Sequence, residues 1–344
     1  MSEKVSKGNA VFDYTKFVLS LMIVAFHTRF LANILSPWLR MAVPIFFVIL
    51  SYFFFSKLNR IDVTEQKSAL IGFTKRKLQL YIFWTIVLLP VFVYIHRVNL
   101  MTKSVIFNVL DYIRRFFFAG TFSASWFIIA SVLGTIIVFY LSKKMSNVWL
   151  LAFSFVIYII VCLFSAYRFV IAPGTAIDSA MNFYSNVINL PSNSFPVAVF
   201  WITVGKCFAD GTFDNIINKK NSIIFIIIGA VLFFFDGQIV RMLSGETNKD
   251  CYITLAILVP AIFALIKSYH FNMNKIAIFM RNYSIITYVM HASLLHILRK
   301  IYRALGIEYN GLIFITILII TFVATVTIIK LKDKKAFKIL KYAC

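Results

Sequence analysis

The chain has 344 residues, 61% of them hydrophobic and 14% charged, with a formal net charge of +22. Soluble domains average about 45–50% apolar and about 25% charged residues, and their surface grows too fast with size to hide this much apolar area. The numbers exclude an ordinary soluble protein and predict a polytopic membrane protein. They do not indicate nucleic-acid binding, which needs a clustered water-facing basic patch; here Lys and Arg fall mostly in short connections between apolar runs.

A spanning helix needs about 20 mostly apolar residues, and the first candidate covers residues 14–35. Lys4 and Lys7 precede it without a small-residue cleavage site, so this span is expected to stay attached as a signal anchor. It carries Lys16, His27 and Arg29 inside or beside its apolar run. Lys16 and His27 are eleven residues apart, so at 100° per residue they share one helix face, about 16 Å apart along the axis. Ionisable groups at membrane depth are costly and normally face a bundle interior or a water-filled cavity. Two plainer readings stand beside a functional one. Lys16 can snorkel to the headgroups and pair with Asp13, and His27 can be a neutral imidazole bonding a neighbouring helix.

The second candidate covers 39–57 and contains "VPIFFVILSYFFFSKL"; the third covers 78–98 and is preceded by Lys75, Arg76 and Lys77. The fourth and fifth cover 117–141 and 147–167. The connection 168–194 is the longest, holds Pro173, Gly174 and Pro191, and is expected to be extracytoplasmic. A short sixth candidate at 195–210 ends in "VGKCFAD". The seventh, 221–240, has Asp236 near its end, where it reads as the start of a water-facing loop; the eighth covers 251–268. The ninth, 276–298, holds His291 and His296, which five residues of helix point about 140° apart. The tenth covers 311–330.

With ten spans, 23 of the 35 Lys and Arg fall on the side of the two termini. Positive charge stays cytoplasmic, so both termini are expected inside. The fold class is all-α: a single-domain polytopic membrane bundle over residues 1–344 with about ten transmembrane helices, expected in a bacterial plasma membrane. The four cysteines, Cys162, Cys207, Cys251 and Cys344, form no C-x-x-C pair, and no metal site is expected.

Five stretches together resemble the acyltransferase-3 family of integral-membrane acyltransferases. Asp13, Lys16 and His27 fit that family's Asp-x-x-basic, ten residues, His frame on the first helix. Pro44, Phe46, Phe47 and Tyr52 fit the second-helix element, although Leu50 and Ser51 stand where Ser and Gly are usual. Trp126 and Phe127 fit a Leu-Trp-Phe element, Gly205 and Lys206 a helix end, and Ser284, Tyr288 and His291 a late Ser-x-x-x-Tyr-x-x-His helix. Lysine at 16 replaces the more usual arginine and lacks its planar fork.

The resemblance implies transfer of an acetyl group from cytoplasmic acetyl-CoA to a hydroxyl of a cell-surface or lipid-linked sugar, with acetyl-CoA as co-substrate and no metal. His27 is then the general base or a transient acyl carrier, since an imidazole titrates near neutral pH. Lys16 is the donor-side cation, and Arg29 steadies negative charge or the acceptor. Arg76 and Lys77 are expected to meet the donor, and Trp126 and His291 the acyl group or acceptor. The expected partners are an acyl-CoA donor, a glycan or lipid-linked sugar acceptor and the bilayer. Two alternatives remain: a transporter or flippase of a lipid-linked saccharide, for which ten spans and intramembrane charges also fit, and an O-succinyltransferase.

Overall fold

A computed structural model describes residues 8–344 apart from 31, 123, 246–249 and 308. The described residues form helices joined by short turns, and pairing between extended segments is limited to a bridge of Asn9 with Asn272. The helices are α1 (Val11–Thr28), α2 (Ala32–Leu39), α3 (Ala42–Leu58), α4 (Val63–Val87), α5 (Leu89–Thr102), α6 (Val105–Arg114) and α7 (Trp126–Leu141). They continue as α8 (Asn147–Leu163), α9 (Ala176–Val187), α10 (Phe195–Ala209), α11 (Lys219–Ser244), α12 (Leu255–Lys267), α13 (Lys275–Ala304) and α14 (Asn310–Leu331).

Each of the ten apolar segments meets a helix, but the boundaries move for physical reasons. The third is the upper part of a longer element. α4 begins at Val63, its charged first half being helical too, and it meets α5 at a 65° bend where Pro90 sits in the first turn of the second helix. The fourth starts late, because a π-helical turn (Arg115–Ala119) and Gly120 at φ +85 end the preceding helix. Asp236 does not begin a loop. It lies within α11, accepting hydrogen bonds from the Tyr167 hydroxyl at 2.7 Å and from Thr254 Oγ1 at 2.7 Å, so it ties α11 to the chain before α12. The connection 168–194 contains α9 between two short 3-10 turns.

Among the described residues, five helices are long and apolar enough to cross a membrane by length and composition, or six when the bent pair α4–α5 is one span. Three further apolar helices, α7, α8 and α12, are shorter. Outward faces support the bilayer as solvent. On α11, Ile223, Ile224, Ile227, Val231, Phe234 and Phe235 are all exposed, a continuous apolar stripe that water would not tolerate. Helices satisfy their own backbone groups, which is what a chain in lipid must do.

α10 is the hub. Almost all its side chains are buried, and it packs on α3, α7 and α8. Its approach to α3 depends on Gly205. A Cβ there would lie 2.5 Å from the Val48 carbonyl oxygen and 3.0 Å from the Tyr52 amide nitrogen, and would collide with the Ser51 hydroxyl. Ser51, standing where a glycine is usual, is therefore accommodated by a glycine on the facing helix. The neighbouring Lys206 donates to Asn147 Oδ1 at 2.6 Å and to Asp210 Oδ2 at 2.5 Å, while Asn59 Nδ2 donates to Asp210 Oδ1 at 2.9 Å. This Gly-Lys pair ties the ends of α3, α8 and α10 together at one end of the bundle.

α1 and α13 lie side by side and parallel. Arg281 sits 4.0 Å from Asp13, the rings of Phe17 and Tyr283 are 5.6 Å apart, and an Arg299 amine donates to the His27 carbonyl at 2.9 Å.

Candidate active site

Four helices, α1, α3, α7 and α13, contribute to both of two cavities stacked along the bundle, with α4 joining them at the first and α8 and α10 at the second. The first, about 230 Å³, is lined by Lys16, Lys77 and Arg281 with Phe46, Phe127 and Tyr288. Lys16 donates to Asp13 at 3.2 Å, and Asp13 is buried between Lys16 and Arg281. One carboxylate thus holds two cations in place and leaves the mouth positive. That pairing was one of the plainer readings of Lys16, and here it coexists with a place on a cavity wall.

The second cavity, about 270 Å³, lies farther along α1 and is lined by His27, Arg40, Trp126, Trp201, Asp250 and Tyr288. His27 sits in the last turn of α1, and its ring centroid is 5.0 Å from that of His291. His291 is fully buried, and its Nδ1 donates to the Tyr288 carbonyl at 2.7 Å. Arg40 pairs with Asp250 and lies with its guanidinium carbon 3.6 Å from the centre of the Phe26 ring, a cation–π geometry.

Tyr288 belongs to both cavities. Its ring is 5.4 Å from Phe127 and 6.5 Å from Phe46, so three aromatic rings form the partition. Its hydroxyl donates to the Ala124 carbonyl. Ala124 holds a positive φ of 70°, uncommon outside glycine, in a turn braced by Ser125 Oγ donating to the Phe122 carbonyl at 2.6 Å. The turn before α7 therefore fixes the tyrosine.

Of the residues expected from the sequence, Lys16 and Lys77 meet in the first cavity, and His27 and Trp126 meet in the second beside His291. Arg76 is exposed and outside both linings. Arg29 is exposed too. It is the C-cap of α1, in the left-handed region at φ 60°, with its backbone N–H turned back to Ala25 and Phe26. The guanidinium at the His27 cavity comes from Arg40 instead. His296 is exposed, on the opposite side of α13 from His291, as their 140° offset requires. Sequence reasoning missed Arg40, Asp250 and Arg281, which no local spacing connects to His27 or Lys16. It quoted Tyr288 within a motif without giving it a place in the site.

This geometry suits chemistry in which a polyanion is held at one end and a proton moves at the other. Comparisons with known proteins agree in part. Two amino-acid racemases from Enterococcus faecalis are similar to this chain. One is 23% identical over 266 residues, covering 74% of this chain and 34% of the racemase; the other is 27% identical over 159 residues, covering 43% and 22%. The chain thus spans about a third of the length of the curated relative it matches over most of its own length. No solved structure matches. The family model described as an acyltransferase domain matches residues 9–331. Covering nearly every described helix, including those that build both cavities, this match shows that the chain belongs to the acyltransferase-3 family.

Proposed function

We propose that the protein is a multi-pass membrane O-acyltransferase. It takes an acetyl group from acetyl-CoA on the cytoplasmic side and delivers it to a hydroxyl of a cell-surface or lipid-linked sugar at the opposite face. The observation that carries this reading is the pair of cavities meeting at Tyr288, one lined by three cations and the other by His27. Charge supports the direction: in the ten-span reading, Lys16, Lys77 and Arg281 lie on the side that collects most of the Lys and Arg. The parallel run of α1 and α13 agrees with the odd number of spans between them that this reading has.

In the mechanism, Lys16, Lys77 and Arg281 meet the phosphates of the donor, and the pantetheine arm runs past the Phe46–Phe127–Tyr288 collar. His27 Nδ1 or Nε2 takes the proton of the acceptor hydroxyl as its oxygen attacks the thioester carbonyl. The tetrahedral oxyanion is steadied by the Arg40 guanidinium. The C–S bond then breaks, and the CoA thiolate recovers the proton from His27. Trp126 offers the flat apolar face on which a sugar ring stacks.

The test is incubation of membranes containing the protein with [14C]acetyl-CoA, followed by separation of glycan and lipid fractions. Label in a glycan or lipid-linked sugar, lost in correctly folded His27→Ala, is the expected result. Full transfer by His27→Ala removes the base from His27. Absence of transfer to any fraction by the unmodified protein favours movement of a lipid-linked saccharide across the bilayer instead. Labelled succinyl-CoA run in parallel decides the donor.

A further inference from the structure

His291 lies beside the catalytic candidate rather than on the wall of its cavity, and its hydrogen bonding is unusual. Nδ1 is 2.7 Å from the Tyr288 carbonyl and 3.1 Å from the Thr287 carbonyl. Carbonyl oxygens only accept, so Nδ1 carries the hydrogen, and the neutral ring then presents a lone pair at Nε2. That atom is buried and has no hydrogen-bond partner among the described residues. Leaving a buried polar atom unsatisfied is costly, so an unpartnered Nε2 in a fully buried imidazole calls for a use. The group beside it is the His27 ring, at a 5.0 Å centroid separation and a 42° tilt, close enough for ring nitrogens to meet with a small rotation.

We propose that His291 is the positioning partner of His27. The chain of bonds runs from the carbonyls of Thr287 and Tyr288 to His291 Nδ1–H, and from His291 Nε2 to an N–H of His27. Fixing one tautomer fixes the next. His27 is left with its other nitrogen unprotonated and aimed into the cavity, where it serves as the base. When His27 takes the acceptor proton, the second imidazole steadies the imidazolium by accepting its N–H, without taking the proton. The thiolate leaving group then recovers the proton from His27, and the pair returns to its starting state. A carboxylate plays this part in hydrolase triads; a neutral imidazole does so here without placing a second full charge in the membrane. Sequence gave no sign of the pairing, because the partners lie 264 positions apart.

This proposal rests on the acyl-transfer reading for its kinetic arm but not for its spectroscopic arm. The spectroscopic arm uses detergent-solubilised full-length protein labelled with 15N-histidine, which has only five histidines to assign. His291 is expected as the Nδ1–H tautomer, with an Nε2 resonance that shifts in His27→Ala. An Nε2–H tautomer, or a resonance indifferent to His27→Ala, overturns the pairing even if acyl transfer is real. The kinetic arm measures [14C]acetyl-CoA transfer in membranes. His291→Asn keeps a donor toward the backbone carbonyls and removes the Nε2 acceptor; kcat is expected to fall by about 100-fold or more, with KM for acetyl-CoA unchanged. His291→Gln puts an amide oxygen near the Nε2 position, and its kcat is expected to recover to within about tenfold of the original. An Asn variant with full kcat, or a Gln variant no better than Asn, refutes the proposal. Absence of transfer by the unmodified protein sinks acyl transfer alone and leaves the tautomer measurement to decide the hydrogen bond.

Discussion

Replacing Gly205 with alanine sets two effects against each other. Helix propensity alone favours the change by about 0.5–1 kcal/mol, because glycine has more backbone freedom to lose. The contact opposes it. The new Cβ would sit 2.5 Å from the Val48 oxygen, 0.9 Å inside the 3.4 Å at which ordinary contact begins, and would press on Ser51 as well. Ser51 Oγ can rotate away, although it would leave its bonds to the Phe47 and Val48 carbonyls at 2.8 and 3.1 Å. The Val48 carbonyl is backbone inside α3 and cannot, so α3 and α10 must separate. Overpacking of this kind costs about 1–3 kcal/mol; because the blocked contact is to backbone that cannot move aside, the middle of that range applies, which outweighs the propensity gain and leaves a net loss of about 1 kcal/mol. The assay is thermal unfolding in detergent followed by a thiol-reactive dye, in a Cys344→Ser background. Cys162, Cys207 and Cys251 are buried and become the reporters, Cys207 lying two residues from the substitution. A midpoint lowered by a few degrees is expected, and only partly restored by adding Ser51→Gly, since the carbonyl contact remains. Gly237→Ala is the opposite control: nothing lies within 4 Å of its Cβ, so propensity alone acts and stability should rise slightly. A Gly205→Ala protein as stable as the parent would refute the reasoning.

Neutralising Lys77 to Met should raise the KM for acetyl-CoA severalfold with little change in acceptor dependence, whereas Arg76→Met, exposed and off the cavity wall, should change neither by more than twofold; equal effects would show that the two act only through surface charge. Tyr288→Ala removes the partition between the cavities, so acetyl-CoA hydrolysis should rise relative to transfer; an unchanged ratio of free acetate to acylated product would show that the collar does not separate water from donor.

The helices were largely legible because apolar runs of membrane length are hard to mistake. What escaped was where polar sequence stays helical or apolar sequence does not. Residues 63–77 are charged yet continue α4, and residues 117–125 are partly apolar yet contain the left-handed Gly120 and Ala124. The membrane-span count is narrower than ten on length and composition, since α7, α8 and α12 are short and α13, interrupted by Arg281, Asn282, His291, His296 and Arg299, is not among the helices apolar enough to qualify. In the site, Lys16 and His27 were readable from helical spacing on one element. Arg40, Asp250 and Arg281 were not, because turns and distant helices bring them in. Arg29 and Arg40 were indistinguishable as sequence. The left-handed turn at the end of α1 exposes the first, and the chain after it returns the second to the cavity.

The side-by-side run of α1 and α13 has a consequence for biosynthesis. Contacts between distant segments form late, and here α1 leaves the ribosome well before α13, the helix it packs against. Until then Lys16 and His27 must be tolerated in lipid without Arg281 and His291 beside them. Any chain truncated before α13 would therefore insert most of its helices and still lack a reaction centre. Two separately expressed pieces divided between α12 and α13 should regain one only when both are made in the same membrane.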